Sequence, residues 1–123
     1  MELNPISYYG VTKVNAEKYI SEKQNFISLR LATVFGVSYR NRLDLLVNFF
    51  VYNAVKHNKI VLFEPNFRRN FIHVKDIAYT FDHCLQNFEL MKNNVYNVGL
   101  SDANLTKLEL CKIIKKQIHT FEI

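Results

Sequence analysis

The feature that most constrains the fold is an apolar segment from Phe26 to Phe35, which ends at Gly36. Apolar and β-branched residues dominate the whole segment instead of alternating regularly with polar ones. Such a run is typical of a strand that is buried on both faces, as central strands of parallel sheets are. Parallel strands also need crossover connections, which usually contain helices. The segment therefore predicts an α/β fold in which this strand has neighbours on both sides, although the chain offers few other strands to supply them.

The rest of the chain alternates between helical and extended patterns. Ser7 is placed to cap a first helix, and Asp76 and Thr106 stand where two later helices should begin. The predicted helices cover about 8–23, 43–58, 76–88 and 107–118, and the other predicted strands cover 59–63, 70–74 and 95–98. The second helix should bury a face made of Leu46, Phe49, Phe50 and Ala54. This alternation predicts an α/β chain with mainly parallel strand pairing.

Composition and charge argue against several classes of protein. No stretch approaches the roughly 18 apolar residues that a membrane helix needs, and the segment 1–5 lacks the features of a secretory signal. The net charge of +5 comes from scattered lysines, which indicates a solvated surface and not nucleic-acid binding. Cys84 and Cys111 have no metal-ligand spacing, so we interpret them as reduced core residues. The sequence therefore predicts a cytoplasmic protein without a membrane segment, a metal site or a nucleic-acid partner.

Tyrosine followed four residues later by lysine is a spacing with chemical meaning. Both side chains lie on one side of a helix, and the lysine ammonium favours the charged form of the phenol. Such a tyrosine can exchange a proton with an alcohol while a hydride moves to or from a nicotinamide. The spacing alone is not selective, because the sequence contains it three times: Tyr9–Lys13, Tyr19–Lys23 and Tyr52–Lys56.

The surroundings of the first pair separate it from the other two. The segment from Pro5 to Glu17 resembles the P-x-x-x-YG-x-[ST]-K-x-x-x-E block of extended short-chain dehydrogenases, the NAD-dependent epimerase/dehydratase family. Four more segments resemble that family's blocks and follow in the family's order. Residues 29–36 resemble its R-[LY]-x-N-[VP]-[YF]-G strand, and residues 45–50 resemble its V-x-N-F helix. Residues 69–76 resemble its R-x-[FY]-[IV]-[HY]-V-x-D block, and residues 96–99 resemble its YN-[VL]-G strand. Together they cover about residues 5–118, which makes the order of blocks far more specific than any one of them.

The resemblance implies a nucleotide-sugar enzyme that uses NAD or NADP. Tyr9 would be the catalytic acid/base, and Lys13 would tune it and hydrogen-bond the nicotinamide ribose. Val34 would lie beside the nicotinamide ring. The implied reaction begins with transient oxidation at C4 of the sugar and leads to epimerisation or dehydration. The implied partners are a nucleotide-diphosphate sugar and a second copy of the enzyme, bound through the helix that carries Tyr9.

Four residues would contact the substrate by the same resemblance. Asn48 matches an asparagine that binds the nucleotide diphosphate in the family. Arg69 matches an arginine that binds the same diphosphate, and a guanidinium fork suits that task. Arg42 lies in a loop that the family uses around the sugar. Thr33 replaces an asparagine that contacts the sugar or diphosphate in many members, and its shorter side chain puts that contact in question. His73 matches a position that the family uses structurally.

The sequence also lacks parts of the family pattern. Its three glycines cannot form the Gly-rich loop that opens the first βαβ unit and binds the pyrophosphate. We therefore expect a fragment whose residues 5–42 form the end of a Rossmann-type cofactor domain and whose residues 43–123 form mostly a small α/β substrate-binding part. Such a chain should be inactive by itself.

Two alternatives remain open at this stage. The chain could be a module that binds a nucleotide diphosphate without catalysis. It could also be a basic nucleic-acid-binding protein, whose affinity would depend steeply on salt, but the order of the family blocks argues against this second alternative. The nucleotide, the sugar and the choice between NAD and NADP cannot be read from these residues.

Overall fold

A computed structural model describes residues 3–123 of the chain. Helices and strands alternate along it in this order: α1 (Tyr8–Ser21), β1 (Ile27–Leu31), β2 (Thr33–Phe35), α2 (Leu46–His57), β3 (Arg68–His73), α3 (Val74–Gln86), α4 (Phe88–Met91), β4 (Asn94–Val98), a 3₁₀ turn (Ser101–Ala103), β5 (Asn104–Thr106) and α5 (Lys107–Gln117). The predicted α/β class is confirmed. The described residues divide into two compact units, and each unit is assembled from two separate stretches of chain.

The first unit consists of the described residues up to Arg30 together with Thr80–Asn97. It contains α1, α4 and the end of α3, and it takes most of a two-stranded sheet formed by β1 and β4. Helix α1 begins where the sequence predicts, because the Ser7 hydroxyl caps it by accepting a hydrogen bond from the Gly10 amide at 3.1 Å. None of the 14 residues of α1 is fully buried. In the described part of this unit, Cys84 is the one fully buried apolar side chain.

The second unit consists of Leu31–Tyr79 and Val98–Ile123 and is built on a three-stranded sheet. Strand β2 pairs in parallel with β3, so that Val34 lies opposite Ile72. Strand β5 pairs antiparallel with the other edge of β3. Helix α5 starts with a complete capping box, in which Thr106 and Glu109 exchange side-chain and backbone hydrogen bonds. This local motif explains why the predicted start of the last helix is confirmed.

The hydrophobic core lies in the second unit. Helix α2 contributes Val47, Phe50 and Ala54, which are spaced three and four residues apart and so share one face. The remaining core side chains come from β3, α5 and the segments before and after them: Ile60, Phe71, Leu110, Cys111, Ile114 and Phe121. The predicted burial of both cysteines is confirmed, and both are free thiols. Burial raises the pKa of the Cys111 thiol to about 11.

The prediction of one continuous strand from Phe26 to Phe35 is wrong. The chain forms two strands there, β1 and β2, which belong to different sheets and are separated by Ala32. The Ala32 amide donates to the Val98 carbonyl at 2.8 Å, after which β2 takes β3 as its partner. None of the residues of these strands is fully buried. The expected burial on both faces is wrong as well, because β1 belongs to a two-stranded sheet and β2 lies at the edge of the other sheet. The apolar run predicts an extended segment but not where that segment changes its pairing partner.

Two smaller predictions also need correction, and one strand was missed. Residues 59–63 do not form a strand: the segment makes an isolated bridge between Lys59 and Glu122, in which the Ile60 amide donates to the Glu122 carbonyl at 2.8 Å. The expected helix 43–58 begins later, at Leu46, and turns Phe49 outward, leaving it 47% exposed. The short strand β5 was not predicted, because its three residues carry no periodic pattern.

Candidate functional site

The N-terminal turn of α1 presents Tyr9 to solvent. Pro5 and Ser7 form the lead into the helix, and a Cβ on Gly10 would lie only 3.0 Å from the Pro5 Cβ, so a larger residue would crowd this turn. The Thr12 hydroxyl donates to the Tyr9 carbonyl at 2.8 Å. The local sequence thus forms a tight, capped turn, and the phenol of Tyr9 projects from it with 71% of the residue exposed.

The structure forms the Tyr9–Lys13 pair that the spacing predicts. The Lys13 Nζ lies 5.3 Å from the centroid of the Tyr9 ring, which is within the range of a cation–π contact. The second pair is equally well formed, because the Lys23 Nζ lies 4.7 Å from the Tyr19 ring. Pair geometry alone therefore does not separate a catalytic tyrosine from an ordinary one. The ring of Tyr52, in the third pair, packs edge-to-face against His57 at 5.8 Å.

An ion pair joins α1 to β1. Both oxygens of Glu17 accept hydrogen bonds from the Arg30 guanidinium, with Nε to Oε2 at 2.8 Å and Nη2 to Oε1 at 2.6 Å. The Glu17 side chain is only 16% exposed, and the Arg30 side chain is 32% exposed. The Arg30 guanidinium holds the pKa of the Glu17 carboxyl below its usual range, and a hydrogen bond with Ser28 lowers this pKa further. The two residues stand in family-like sequence blocks, but sequence reasoning assigned them no role.

The lowered pKa of Glu17 predicts a loss of stability in acid. A carboxyl whose pKa is lower in the folded than in the unfolded state contributes stability above its unfolded pKa, and this contribution disappears as pH falls through the folded pKa. We expect the urea midpoint of the first unit to fall when pH is lowered from about 6 to about 3. This fall should be smaller in Glu17→Gln, whereas the exposed C-cap variant Glu22→Gln should follow the wild type. Equal pH dependence in all three proteins would contradict the prediction.

In the second unit, Asn48 fastens the loop that follows β2. Its Oδ1 accepts from the Gly36 amide at 3.4 Å, and its Nδ2 donates to the Arg42 carbonyl at 3.1 Å. As the third residue of α2, Asn48 lies beside the helix N-terminus, whose free amides favour anions. The guanidinium of Arg42 pairs with Asp44 and thereby lowers the pKa of that carboxyl. The structure thus brings Asn48 together with the backbone of Arg42, while the Arg42 side chain engages its own neighbour.

A cleft of about 420 Å³ opens beside Asn48. Apolar side chains of β2 and α2 form most of its wall, and Asn48, Tyr52 and His73 add polar groups. The ring of His73 packs edge-to-face against Phe35 at 5.3 Å, and its Nδ1 accepts from the Lys75 amide at 3.2 Å. A largely apolar cleft with a few fixed polar groups has the general character of a small-molecule site.

The neighbouring arginines Arg68 and Arg69 differ in their surroundings. Arg68 donates to the Asn104 carbonyl at 2.8 Å and pairs with Glu109 at 3.5 Å, so its guanidinium is used within the fold. The guanidinium of Arg69 lies over the Phe67 ring, 5.4 Å from its centroid. This contact leaves the donor edge of the fork available. The two guanidinium groups therefore differ in how far the fold already uses their donors.

Thr33 and Val34 are consecutive residues of β2, and both are partly buried. Their partners in β3 are Phe71 and Ile72, respectively. The predicted residues therefore fall into two sets. Tyr9 and Lys13 belong to the first unit, and five belong to the second: Thr33, Val34, Arg42, Asn48 and Arg69.

Sequence reasoning missed the side-chain amide of Asn70. Its Nδ2 donates to the Leu100 carbonyl at 2.6 Å, and its Oδ1 accepts from the Leu100 amide at 3.2 Å. The two bonds imitate a strand pairing and hold the segment after β4 against β3. A Cβ on Gly99 would lie 2.5 Å from the Asn70 Oδ1, so the glycine permits this approach. The signal that could have found it is a glycine directly after a strand.

The chain's own residues fit only part of a dinucleotide. Exposed Tyr9 and Lys13 offer a phenol and an ammonium, which suit a ribose hydroxyl beside a nicotinamide. The three glycines lie apart at positions 10, 36 and 99, so the sequence contains no Gly-rich loop for the pyrophosphate. In the part of the chain that the structure describes, no three His, Cys, Asp or Glu side chains are grouped as metal ligands. No helix between residues 3 and 123 is long and apolar enough to cross a bilayer.

Comparison with known structures supports the fold. The dTDP-glucose 4,6-dehydratase of Bacillus anthracis, solved in complex with NAD, matches 98% of this chain with a TM-score of 0.84 and 21% identity. The ADP-L-glycero-D-manno-heptose-6-epimerase of Helicobacter pylori matches 97% with a TM-score of 0.80 and 24% identity. In each case the chain covers 39% of the known structure. These matches confirm the predicted Rossmann-type class.

Sequence comparison points to the same group of proteins. The ADP-L-glycero-D-manno-heptose-6-epimerase of Brachyspira hyodysenteriae is 25% identical over an alignment that covers 91% of this chain and 38% of that enzyme. The chain thus spans about two fifths of the length of the relatives it matches. Residues 1–99 match the profile of the family described as NAD dependent epimerase/dehydratase. The chain therefore belongs to the NAD dependent epimerase/dehydratase family.

Proposed function

We propose that this chain is the catalytic-tyrosine and substrate-binding part of an NAD-dependent nucleotide-sugar epimerase or dehydratase. The observation that carries the proposal is the exposed Tyr9–Lys13 pair on the capped N-terminal turn of α1, within a chain of that family. The named relatives act on nucleotide sugars, and one was solved with NAD. Residues 5–42 would serve the cofactor and residues 43–123 mostly the substrate.

Each proposed catalytic residue has a task that its chemistry allows. NAD, when bound, accepts a hydride from C4 of the sugar. The Tyr9 phenolate takes the proton of the C4 hydroxyl and later returns it. The Lys13 ammonium stabilises the phenolate and donates a hydrogen bond to the nicotinamide ribose. Val34, in the partly buried strand β2, would present an apolar surface to the nicotinamide ring.

The nucleotide diphosphate would bind to the second unit. Arg69 offers a guanidinium fork, and the remaining amide N–H of Asn48 lies beside the N-terminus of α2. Arg42 would reach the sugar after exchanging its partner Asp44 for substrate. Thr33 would make at most a short polar contact.

We expect Arg69→Gln to weaken binding of a nucleotide-diphosphate sugar by about 10- to 100-fold, because a hydrogen bond to a charged group contributes about 1.5–3 kcal/mol. The measurement is isothermal titration calorimetry with ADP-, dTDP-, UDP- and GDP-sugars. Arg68→Gln is the matched control, since it removes the same charge from a guanidinium that is used within the fold. Equal losses in both variants would indicate general electrostatics and contradict a specific role for Arg69.

A second candidate is a module that binds the nucleotide diphosphate without catalysis. It is favoured by one observation: the cleft beside Asn48 is present, while the sequence has no Gly-rich loop. The candidates differ in a turnover assay with NAD. Binding without any turnover by the 123-residue chain would support the module, and turnover by the chain itself would overturn the expectation that it is inactive alone.

We also propose that the enzyme forms a homodimer through α1 and that it is located in the cytoplasm. The exposed face of α1, which includes Tyr8 at 85% and Tyr19 at 64% exposure, would pack against a second copy of the enzyme. Two free, buried thiols suit the cytoplasm. Analytical ultracentrifugation tests the first proposal, and a sedimentation coefficient of a monomer at high concentration would exclude it.

A further inference from the structure

The orientation of α1 is weakly fixed by apolar packing. None of its 14 residues is fully buried: Val14 is half-buried, and the larger apolar side chains are exposed, namely Tyr8, Tyr9, Val11, Tyr19 and Ile20. A helix without a buried apolar stripe can rotate about its own axis at little cost, because burial of such a stripe is what usually fixes a helix against a sheet. Some other interaction must therefore set which side of α1 faces β1.

The Glu17 carboxylate is placed to do so. It accepts from the Nε and Nη2 of Arg30 at 2.8 and 2.6 Å and is also hydrogen-bonded by Ser28. Residues 28 and 30 are two apart in β1, so both side chains leave the same face of the strand. A bidentate contact fixes an angle as well as a distance. Glu17 thus fastens one defined side of α1 to one defined face of β1.

That side of α1 is continuous with the proposed catalytic pair. Tyr9, Lys13 and Glu17 are spaced four residues apart and form one stripe along the helix. A side-chain tip about 6 Å from the helix axis moves by about 2 Å when the helix rotates by about 20°. A misplacement of about 1 Å can reduce a catalysed rate by about 100-fold.

We propose that Glu17, acting through Arg30, is a positioning residue that sets the rotation of α1 and thereby the placement of Tyr9 and Lys13. This inference rests on the proposed function only for its catalytic consequence. The rotation itself is a structural property of the chain that can be measured without turnover.

The test is NMR of the full 123-residue chain in a weakly aligning medium. Residual dipolar couplings along a helix oscillate with the helical period, and the phase of this oscillation reports the rotation of the helix about its axis. We expect Glu17→Gln to shift the phase for α1 relative to β1 and β4 by about 20° or more. The neutral control Glu22→Gln should leave the phase unchanged. A role limited to stability would change the melting temperature but not the phase.

Two further variants protect the test against unfolding. Arg30→Lys keeps the charge but replaces the fork with a point charge, so we expect it to shift the phase as well. The exchange Glu17→Arg with Arg30→Glu restores an ion pair and should return the phase towards that of the wild type. An unchanged phase in Arg30→Lys would overturn the inference. Retained turnover in a Tyr9→Phe enzyme would instead overturn the proposed function and leave the phase result intact.

Discussion

Replacement of Gly36 by alanine is expected to lower the free energy of unfolding of the second unit by about 3 kcal/mol or more. Gly36 has φ of +132°, a backbone conformation that residues with a Cβ rarely adopt. Its Cβ would also lie 2.8 Å from the Nε2 of His73 and 2.8 Å from the Cγ1 of Val74. Backbone strain of about 1–3 kcal/mol and overpacking of about 1–3 kcal/mol therefore act at the same residue.

The neighbours of Gly36 cannot easily move away. The His73 ring is held edge-to-face against Phe35 and accepts a hydrogen bond from the Lys75 amide. Urea unfolding followed by circular dichroism would measure the loss. Gly10→Ala is the control, because its helical backbone favours alanine by about 1 kcal/mol while the 3.0 Å approach to Pro5 opposes it, so its net effect should be small. A Gly36→Ala midpoint equal to that of the wild type would contradict the prediction.

The same substitution should also weaken ligand binding. The Gly36 amide donates to the Oδ1 of Asn48, so a displaced strand end would release the side chain that fastens the following loop. We expect weaker calorimetric binding of nucleotide sugars at temperatures where the variant is still folded. This connects a purely steric requirement at the end of β2 with the proposed diphosphate site.

The sequence predicted those parts of the fold that depend on local chemistry. The caps at Ser7 and Thr106 were found because each is satisfied within three residues along the chain. The strands β3 and β4 were found because they are short extended runs bounded by clear turn signals. Helix capping and strand propensity act over a few residues, so they can be read without knowledge of the tertiary structure.

The failures share a different physical origin, which is dependence on a distant partner. Ala32 lies between the two strands, where its amide donates to the carbonyl of Val98, far along the chain. Residues 59–63 have the composition of a strand but form an isolated bridge to Glu122 in place of a strand pairing. A pattern within one segment carries no record of which edge will be beside it.

The candidate site divides in the same way. The Tyr9–Lys13 pair follows from helical spacing, and its importance was suggested by the surrounding family blocks. The roles of Glu17 and Arg30 could not be predicted, because their contact depends on how α1 lies on β1. Spacing predicts neighbours on one helix, whereas contacts between elements require their relative placement.

Substitution of Tyr9 by phenylalanine is expected to reduce kcat by about 10²- to 10⁴-fold in the complete NAD-dependent enzyme, the usual contribution of a general acid/base. The nucleotide-sugar affinity should stay near that of the wild type, because the proposed diphosphate contacts lie at Asn48 and Arg69. Steady-state kinetics with NAD and the sugar that binds best in calorimetry would give kcat and KM, and circular dichroism would show that the variant is folded. An unchanged kcat would remove Tyr9 from the mechanism.

Tyr19→Phe is the matched control, because it tests position and not pair geometry. Both tyrosines carry a lysine ammonium over the ring, at 5.3 Å for Tyr9 and 4.7 Å for Tyr19. They differ in their place on α1, since Tyr9 lies in the first turn and Tyr19 in the last. The positive end of the helix dipole favours an anion at the first turn, and the negative end disfavours one at the last. We therefore expect kcat of Tyr19→Phe to remain close to that of the wild type, which would show that the lysine contact alone does not define the catalytic tyrosine. Equal losses in both variants would contradict the claim that its position in α1 sets Tyr9 apart.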